Sequence, residues 1–200
     1  MAAPPKPPPS LADAIHAIAS RYVAAGLSIV PIRPDGTKRP TDVWKEFQHR
    51  LPSAQDLRCW FIGSKPPGIA VICGKVSGGL EVLDFDDAPT FFEWAELIKQ
   101  QAPGLLDRLP IVRTPGEGFH VYYRIPKPGG NHKLAERPPT PQELAASPKL
   151  RSITLIETRG EGGYVLAPGC PPSCHETGGV YTLVSGPDIT QVPLLDRISL

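Results

Sequence analysis

The chain has 200 residues, of which 21 are Lys or Arg and 20 are Asp or Glu. That length suits one domain with its own core, and the balanced charge gives no global sign of nucleic-acid binding, so a basic groove would need local clustering. Cys59, Cys73, Cys170 and Cys174 are too few for a disulfide scaffold, no apolar run nears the roughly 20 residues that span a bilayer, and MAAPPKPPPS lacks a signal-peptide core; together these predict a soluble chain with no membrane partner in a reducing, cytoplasmic setting.

The Pro-rich leader, 1–9, is expected to be disordered, with polyproline character. Ser10 is a good N-cap and Gly26 a good stop for a helix over 11–25, with Leu11, Ile15, Ile18 and Tyr22 on its inward face. LSIVPI follows as a short strand and RPDGTKRP as a turn-rich, basic loop. Ser53 caps a second helix over 54–61. GIAVICG is an apolar run suited to a buried strand, and an SGG turn joins it to LEVLDFDD in what reads as a hairpin. Residues 89–101 read as a helix with Phe91, Trp94, Ala95 and Ile98 inward. IVRTP and FHVYYRI flank PGEG, a second hairpin signal. Residues 126–149 read as a long functional or mobile loop, with one helical turn at ELAA. SITLIETRG, YVLAP and GGVYTLV are the remaining strands, and an irregular tail follows Ser185. Helices and strands mix without strict alternation, so the predicted class is α+β rather than a doubly wound sheet.

The chemistry concentrates in three segments. Successive side chains of a strand point to opposite faces, so in LEVLDFDD Leu83 and Phe85 share one face and Asp84 and Asp86 the other. Two carboxylates on one face can share a hard divalent cation, and without one they repel. The ordinary alternative is a solvated strand end with an acidic cap. In SITLIETRG the same alternation puts Leu155, Glu157 and Arg159 together; Glu157 could complete a three-carboxylate site, or simply pair with Arg159. In RTPGEGFHVYYR the glycines let backbone N–H groups approach an anion, Thr114 offers a hydroxyl, and His120 follows the turn. A lone strand histidine is more often structural than functional.

In this order, LDFDD, TPGEGFHVYYR and ETRGEGGYVLAP resemble the archaeo-eukaryotic primase superfamily. More narrowly, they resemble the bifunctional primase-polymerase (prim-pol) domain of plasmid, phage and other mobile-element replication proteins. GLSIVPIRPDGTKRP, GIAVICG and PSCH…GGVY are similar to its flanking segments, and the likeness runs from Ala12 to Val184. The resemblance implies a primase-polymerase catalytic core, RRM-like, with largely antiparallel sheets and flanking helices. It implies a catalytic domain over 10–185, with residues 186–200 as a tail or a linker to a helicase or accessory domain.

The implied activity is DNA-dependent nucleotidyl transfer, making and extending primers on single-stranded DNA from dNTPs or NTPs. Carried over residue by residue, Asp84, Asp86 and Glu157 become the catalytic ligands of a two-metal Mg²⁺ or Mn²⁺ site. His120 becomes a triphosphate contact, and Arg159, Thr114 and Lys38 become further nucleotide contacts. Two departures stand out: the third acid is Glu where many relatives have Asp, and bulky Glu117 and Phe119 surround His120. Lys38, Arg39 and Lys45, with Lys127, Lys133, Arg137, Lys149 and Arg151, are candidates for a basic template rim, although singly each reads as a solvated charge. Cys170, Cys174 and His175, with Cys59 or Cys73, have a spacing poor for a structural zinc, which is not expected. A metal-dependent nuclease and a non-catalytic single-strand-binding replication module are the rival readings.

Overall fold

A computed structural model describes residues 9–41, 44–62 and 65–195. The expected disorder of the leader therefore lies almost wholly outside the described residues. In chain order the regular elements are α1 (Leu11–Ala24), β1 (Ile29–Ile32), α2 (Ala54–Phe61), β2 (Gly68–Ile72), β3 (Leu80–Phe85), α3 (Ala88–Gln101), β4 (Ile111–Arg113), β5 (Phe119–Arg124), β6 (His132–Arg137), α4 (Pro141–Ala146), β7 (Ile153–Arg159), β8 (Tyr164–Leu166) and β9 (Thr182–Ser185). The class is α+β, with two antiparallel sheets. The smaller sheet runs β1-β2-β8 and the larger β6-β7-β3-β5-β4-β9. Among the described residues, no helix is long and apolar enough to cross a membrane.

Local signals account for the helices. Ser10 and Ser53 each close a capping box, with Asp13 and Asp56 reaching back to the cap, and Asp87 caps α3 by accepting from Thr90 N–H at 2.8 Å. On α1 the inward stripe is Ile15, Ala19 and Tyr22; Leu11, at the helix start, is 59% exposed, against expectation. On α3, Phe91 and Ala95 are buried and Trp94 and Ile98 pack beside them, as their spacing predicts.

Strand alternation builds a core on each face of the large sheet. On one face Leu80, Val82, Val112 and Tyr122 pack against the small sheet, α1 and α2. On the other, Leu83, Phe85, Phe119, Val121 and Tyr123 pack against α3. The catalytic candidates on β3, β5 and β7 lie on the first face.

Two expectations fail. GIAVICG and LEVLDFDD do not form a hairpin: β2 pairs with β1 and β8, whereas β3 pairs with β5 and β7. The backbone of β2 is buried along its whole length, so it needs a strand on each side within the small sheet. The chain changes sheets through a 3₁₀ turn at Lys75–Ser77. Gly79 makes this crossing possible, with φ of 81° and a Cβ position 2.2 Å from the Ile125 carbonyl oxygen. The second failure is residues 126–149, where β6 replaces part of the expected loop, while α4 contains the helical turn expected at ELAA. β6 carries mostly exposed side chains and pairs irregularly with β7, so it shows no apolar alternation to read. Past Ser185 the described residues form a 3₁₀ turn and a bridge from Leu194 to Arg124; Ile189, Val192 and Leu195 are buried and Pro193 accepts from Arg124 N–H at 2.8 Å.

Candidate active site

Central strand β3 brings three motifs together. Asp84 pairs in register with His120 on one side and with Glu157 on the other. Cross-strand partners point to the same face, so the three side chains converge. Asp86 follows two residues on, where its N–H donates to Leu155 carbonyl at 3.0 Å. Arg159, two residues beyond Glu157, shares that face.

Arg159 spans two of the carboxylates. Its Nε lies 3.2 Å from Asp84 Oδ2, and its other guanidinium arm contacts Glu157 Oε1. The second Asp84 oxygen is 3.3 Å from His120 Nε2, and the far side of that imidazole meets the Tyr122 hydroxyl at 3.4 Å. Asp84 is thus held from both sides with only 14% of its side chain exposed. The carboxylate of Asp86 makes no hydrogen bond or ion pair with any described residue.

The carboxyls titrate differently as a result. Burial pushes Asp84 up, but its neighbours His120 and Arg159 outweigh it and hold the group below the usual range. Asp86 faces solvent on one side, yet the protein crowded around it and the charges of Asp84 and Glu157 push it up to about 6. Burial also raises Glu157, opposed by Arg159.

These groups line a cavity of about 610 Å³ between the two sheets. Its walls include Asp84, Asp86, His120, Arg159, Thr114 and Lys38. Glu157 stands behind Arg159 rather than on the wall. The Thr114 hydroxyl accepts from Gly118 N–H at 3.1 Å, closing the turn, while the Gly116 N–H has no partner among the described residues. Lys38 takes a left-handed backbone, φ 60°.

The cavity also holds residues that the motif reading left aside. Asn131 sits on its rim, its Oδ1 accepting from Gly160 N–H at 3.0 Å. Tyr164 and Tyr181 form apolar walls. His175, a poor zinc candidate within the PSCH segment, faces this space. Its Nδ1 accepts from Thr177 N–H at 3.2 Å, which leaves the ring proton on Nε2, on the side toward the Gly116 turn. Burial, then the charge of Lys38, lowers its pKa and favours this neutral form. The PSCH segment was the available signal, since it had a place in the resemblance of its own.

The other candidates fall elsewhere. Cys170 and Cys174 pack together under Gly68, with Cys170 Sγ bonded to the Ile69 backbone, while the His175 ring turns toward Thr177. Cys73 is buried and Cys59 exposed. In the basic rim, Lys133 pairs with Glu136 and Arg137 with Glu143, both at 2.7 Å, so these two charges are partly satisfied within the chain.

No group of three or more His, Cys, Asp or Glu among the described residues stands arranged as a metal-ligand cluster. Arg159 instead engages one oxygen each of Asp84 and Glu157. The donor chemistry nonetheless fits a hard divalent cation: three carboxylates share one sheet face, and the repulsion that, after burial, raises Asp86 is what a dication would relieve.

Over residues 19–195, nearly the whole chain, the sequence matches the family described as Prim-Pol, bifunctional DNA primase/polymerase, N-terminal. None of the curated proteins searched matches it.

Proposed function

Since the chain belongs to the bifunctional DNA primase/polymerase N-terminal (Prim-Pol) family, we propose that it catalyses metal-dependent nucleotidyl transfer on single-stranded DNA, synthesising and extending primers in the replication of a mobile element. The observation that carries this reading is the register of β3, which sets Asp84 between His120 and Glu157 on one sheet face. Asp84, Asp86 and Glu157 would hold Mg²⁺ or Mn²⁺. A bound pair of such ions lowers the pKa of an attacking 3′-hydroxyl and offsets charge on the leaving pyrophosphate.

The chain's own groups do the rest. His120 is held by Tyr122 and Asp84, so its ring is oriented before substrate arrives. The Gly116 N–H, Thr114, Lys38 and the Nε2–H of His175 converge on the same part of the cavity and suit a triphosphate. Arg159 adds a planar donor matched to phosphate oxygens. Tyr164, on the wall, and Asn131, on the rim, would contact the sugar or base. In this reading residues 10–185 are the catalytic domain, 1–9 a leader, and 186–200 a tail or a linker to a helicase or accessory domain.

The test is incorporation of labelled dNTPs or NTPs on single-stranded DNA with Mn²⁺, with and without a primer. The double change Asp84→Ala, Asp86→Ala should abolish incorporation while circular dichroism stays native. A folded, metal-replete wild type that incorporates nothing on any template overturns the reading. DNA cleavage without extension would favour a nuclease; DNA binding that survives the double change, without synthesis, would favour a binding module.

A further inference from the structure

We propose that Arg159 is an internal counter-cation that competes with the divalent cation for Asp84 and Glu157, so that cation binding requires its displacement. This rests on the reading of those carboxylates as ligands. Three observations carry it. Asp84 and Glu157 are direct cross-strand partners, an arrangement that like charges disfavour. One guanidinium reaches both, through Nε to Asp84 and through its other arm to Glu157. Asp86, the third acid, is left outside this bridge, which occupies one oxygen of each of the other two carboxylates.

The Arg159 side chain is 33% exposed and borders the cavity, so it has room to leave. A triphosphate in that cavity would offer it new acceptors of the same charge. Cation and nucleotide binding are then coupled: phosphate draws Arg159 off the carboxylates and the cation takes its place. By linkage the coupling is reciprocal. Arg159 is in this sense a positioning residue, and its effect should appear in binding without turnover.

The experiment measures Mn²⁺ binding by loss of the free-ion electron paramagnetic resonance signal, on the full chain, with and without a non-hydrolysable nucleoside triphosphate. Without nucleotide, Arg159→Gln should bind Mn²⁺ at least about tenfold more tightly than wild type. Lys99→Gln, which removes an exposed charge outside the cavity, should change affinity by less than about threefold. Nucleotide should tighten Mn²⁺ binding to wild type more than to Arg159→Gln. Should Arg159→Gln not fold, Arg159→Lys, whose single ammonium cannot span both acids, is expected to bind about threefold more tightly.

Unchanged or weaker Mn²⁺ affinity in the Arg159 variant, or an equal gain in Lys99→Gln, overturns the inference. In that case wild-type binding that is still lost in Asp86→Asn leaves the primase-polymerase reading standing. Wild-type binding that Asp86→Asn does not alter removes the carboxylate site itself, and the inference with it.

Discussion

Asp84 and Glu157 oppose each other across adjacent antiparallel strands, two carboxylates in direct register in the middle of a six-stranded sheet. Opposed acids in a half-buried sheet face destabilise the fold unless a positive group joins them. Here Arg159 does so from the same strand as Glu157. The sheet therefore tolerates a local concentration of negative charge whose use lies in what it can bind.

The pH dependence of the site should be governed by Asp86. Its folded-state pKa, about 6, lies above the ordinary 3.8. A raised carboxyl contributes stability in its protonated form, present in full below the ordinary value and lost as pH rises through about 6. Asp86→Asn should therefore make the metal-free protein more stable at pH 7.5, by about 1 kcal/mol after allowance for solvent screening, and leave it little changed at pH 4. Mn²⁺ affinity of the wild type should fall about tenfold per unit below pH 6, as protons and cation compete. Thermal unfolding in chelator and Mn²⁺ titration across pH 4.5–8 measure the two effects.

Asp84 should behave oppositely. Its carboxyl is held below the usual range, so it stabilises the fold above that range, and the contribution fades as pH falls through its folded value. Asp84→Ala leaves Arg159 and His120 short of a shared partner in a mostly buried setting. It should cost about 2–4 kcal/mol by urea denaturation at pH 7.5 in chelator, the reverse of the Asp86→Asn effect.

Gly118→Ala tests how tightly the site's strands must approach. A Cβ there would lie 2.0 Å from the Phe85 carbonyl oxygen, at the register position where β3 meets β5. Backbone cannot move aside as a flexible side chain would, so the strands must separate beside Asp84 and His120. The expected loss is about 2–4 kcal/mol in unfolding free energy. Exchange of the Phe85 and Phe119 amides should quicken by hydrogen–deuterium measurement.

Glu81 is a buried acid remote from the carboxylate site, and it secures the rim. It accepts from the Tyr123 hydroxyl at 2.6 Å and from Gly129 N–H at 3.0 Å. Gly129 in turn accepts from Glu161 N–H at 2.6 Å, and Asn131 accepts from Gly160, so one side chain anchors two loops that edge the cavity. Glu81→Ala should destabilise by about 2–3 kcal/mol and raise KM for nucleotide more than it lowers kcat. Tyr123→Phe, which removes only one of the bonds, should cost about 1 kcal/mol and spare KM.

The capped helices were legible because their signals are local. Ser10 with Asp13 and Ser53 with Asp56 are separated by three residues, and the apolar stripe of α3 needs no knowledge of its partner. β6 was not legible, because its side chains are largely exposed and its order comes from the ladder to β7. The predicted β2–β3 hairpin failed for a related reason: two adjacent strands and a glycine turn look alike whether the chain folds back or passes to another sheet. His175 was present in the sequence but lacked a direction, which its bond to Thr177 supplies.

The three acids divide in the same way. Side-chain alternation follows from backbone geometry within one strand, so the sequence alone placed Asp84 with Asp86 and Glu157 with Arg159. Which strands become neighbours, and in what register, depends on burying apolar faces across the whole chain. Only the tertiary structure could therefore set Asp84 opposite Glu157 and bring Arg159 between them. Their resemblance to a known family anticipated the meeting of the acids; the guanidinium that holds them together became visible only once the strands were paired.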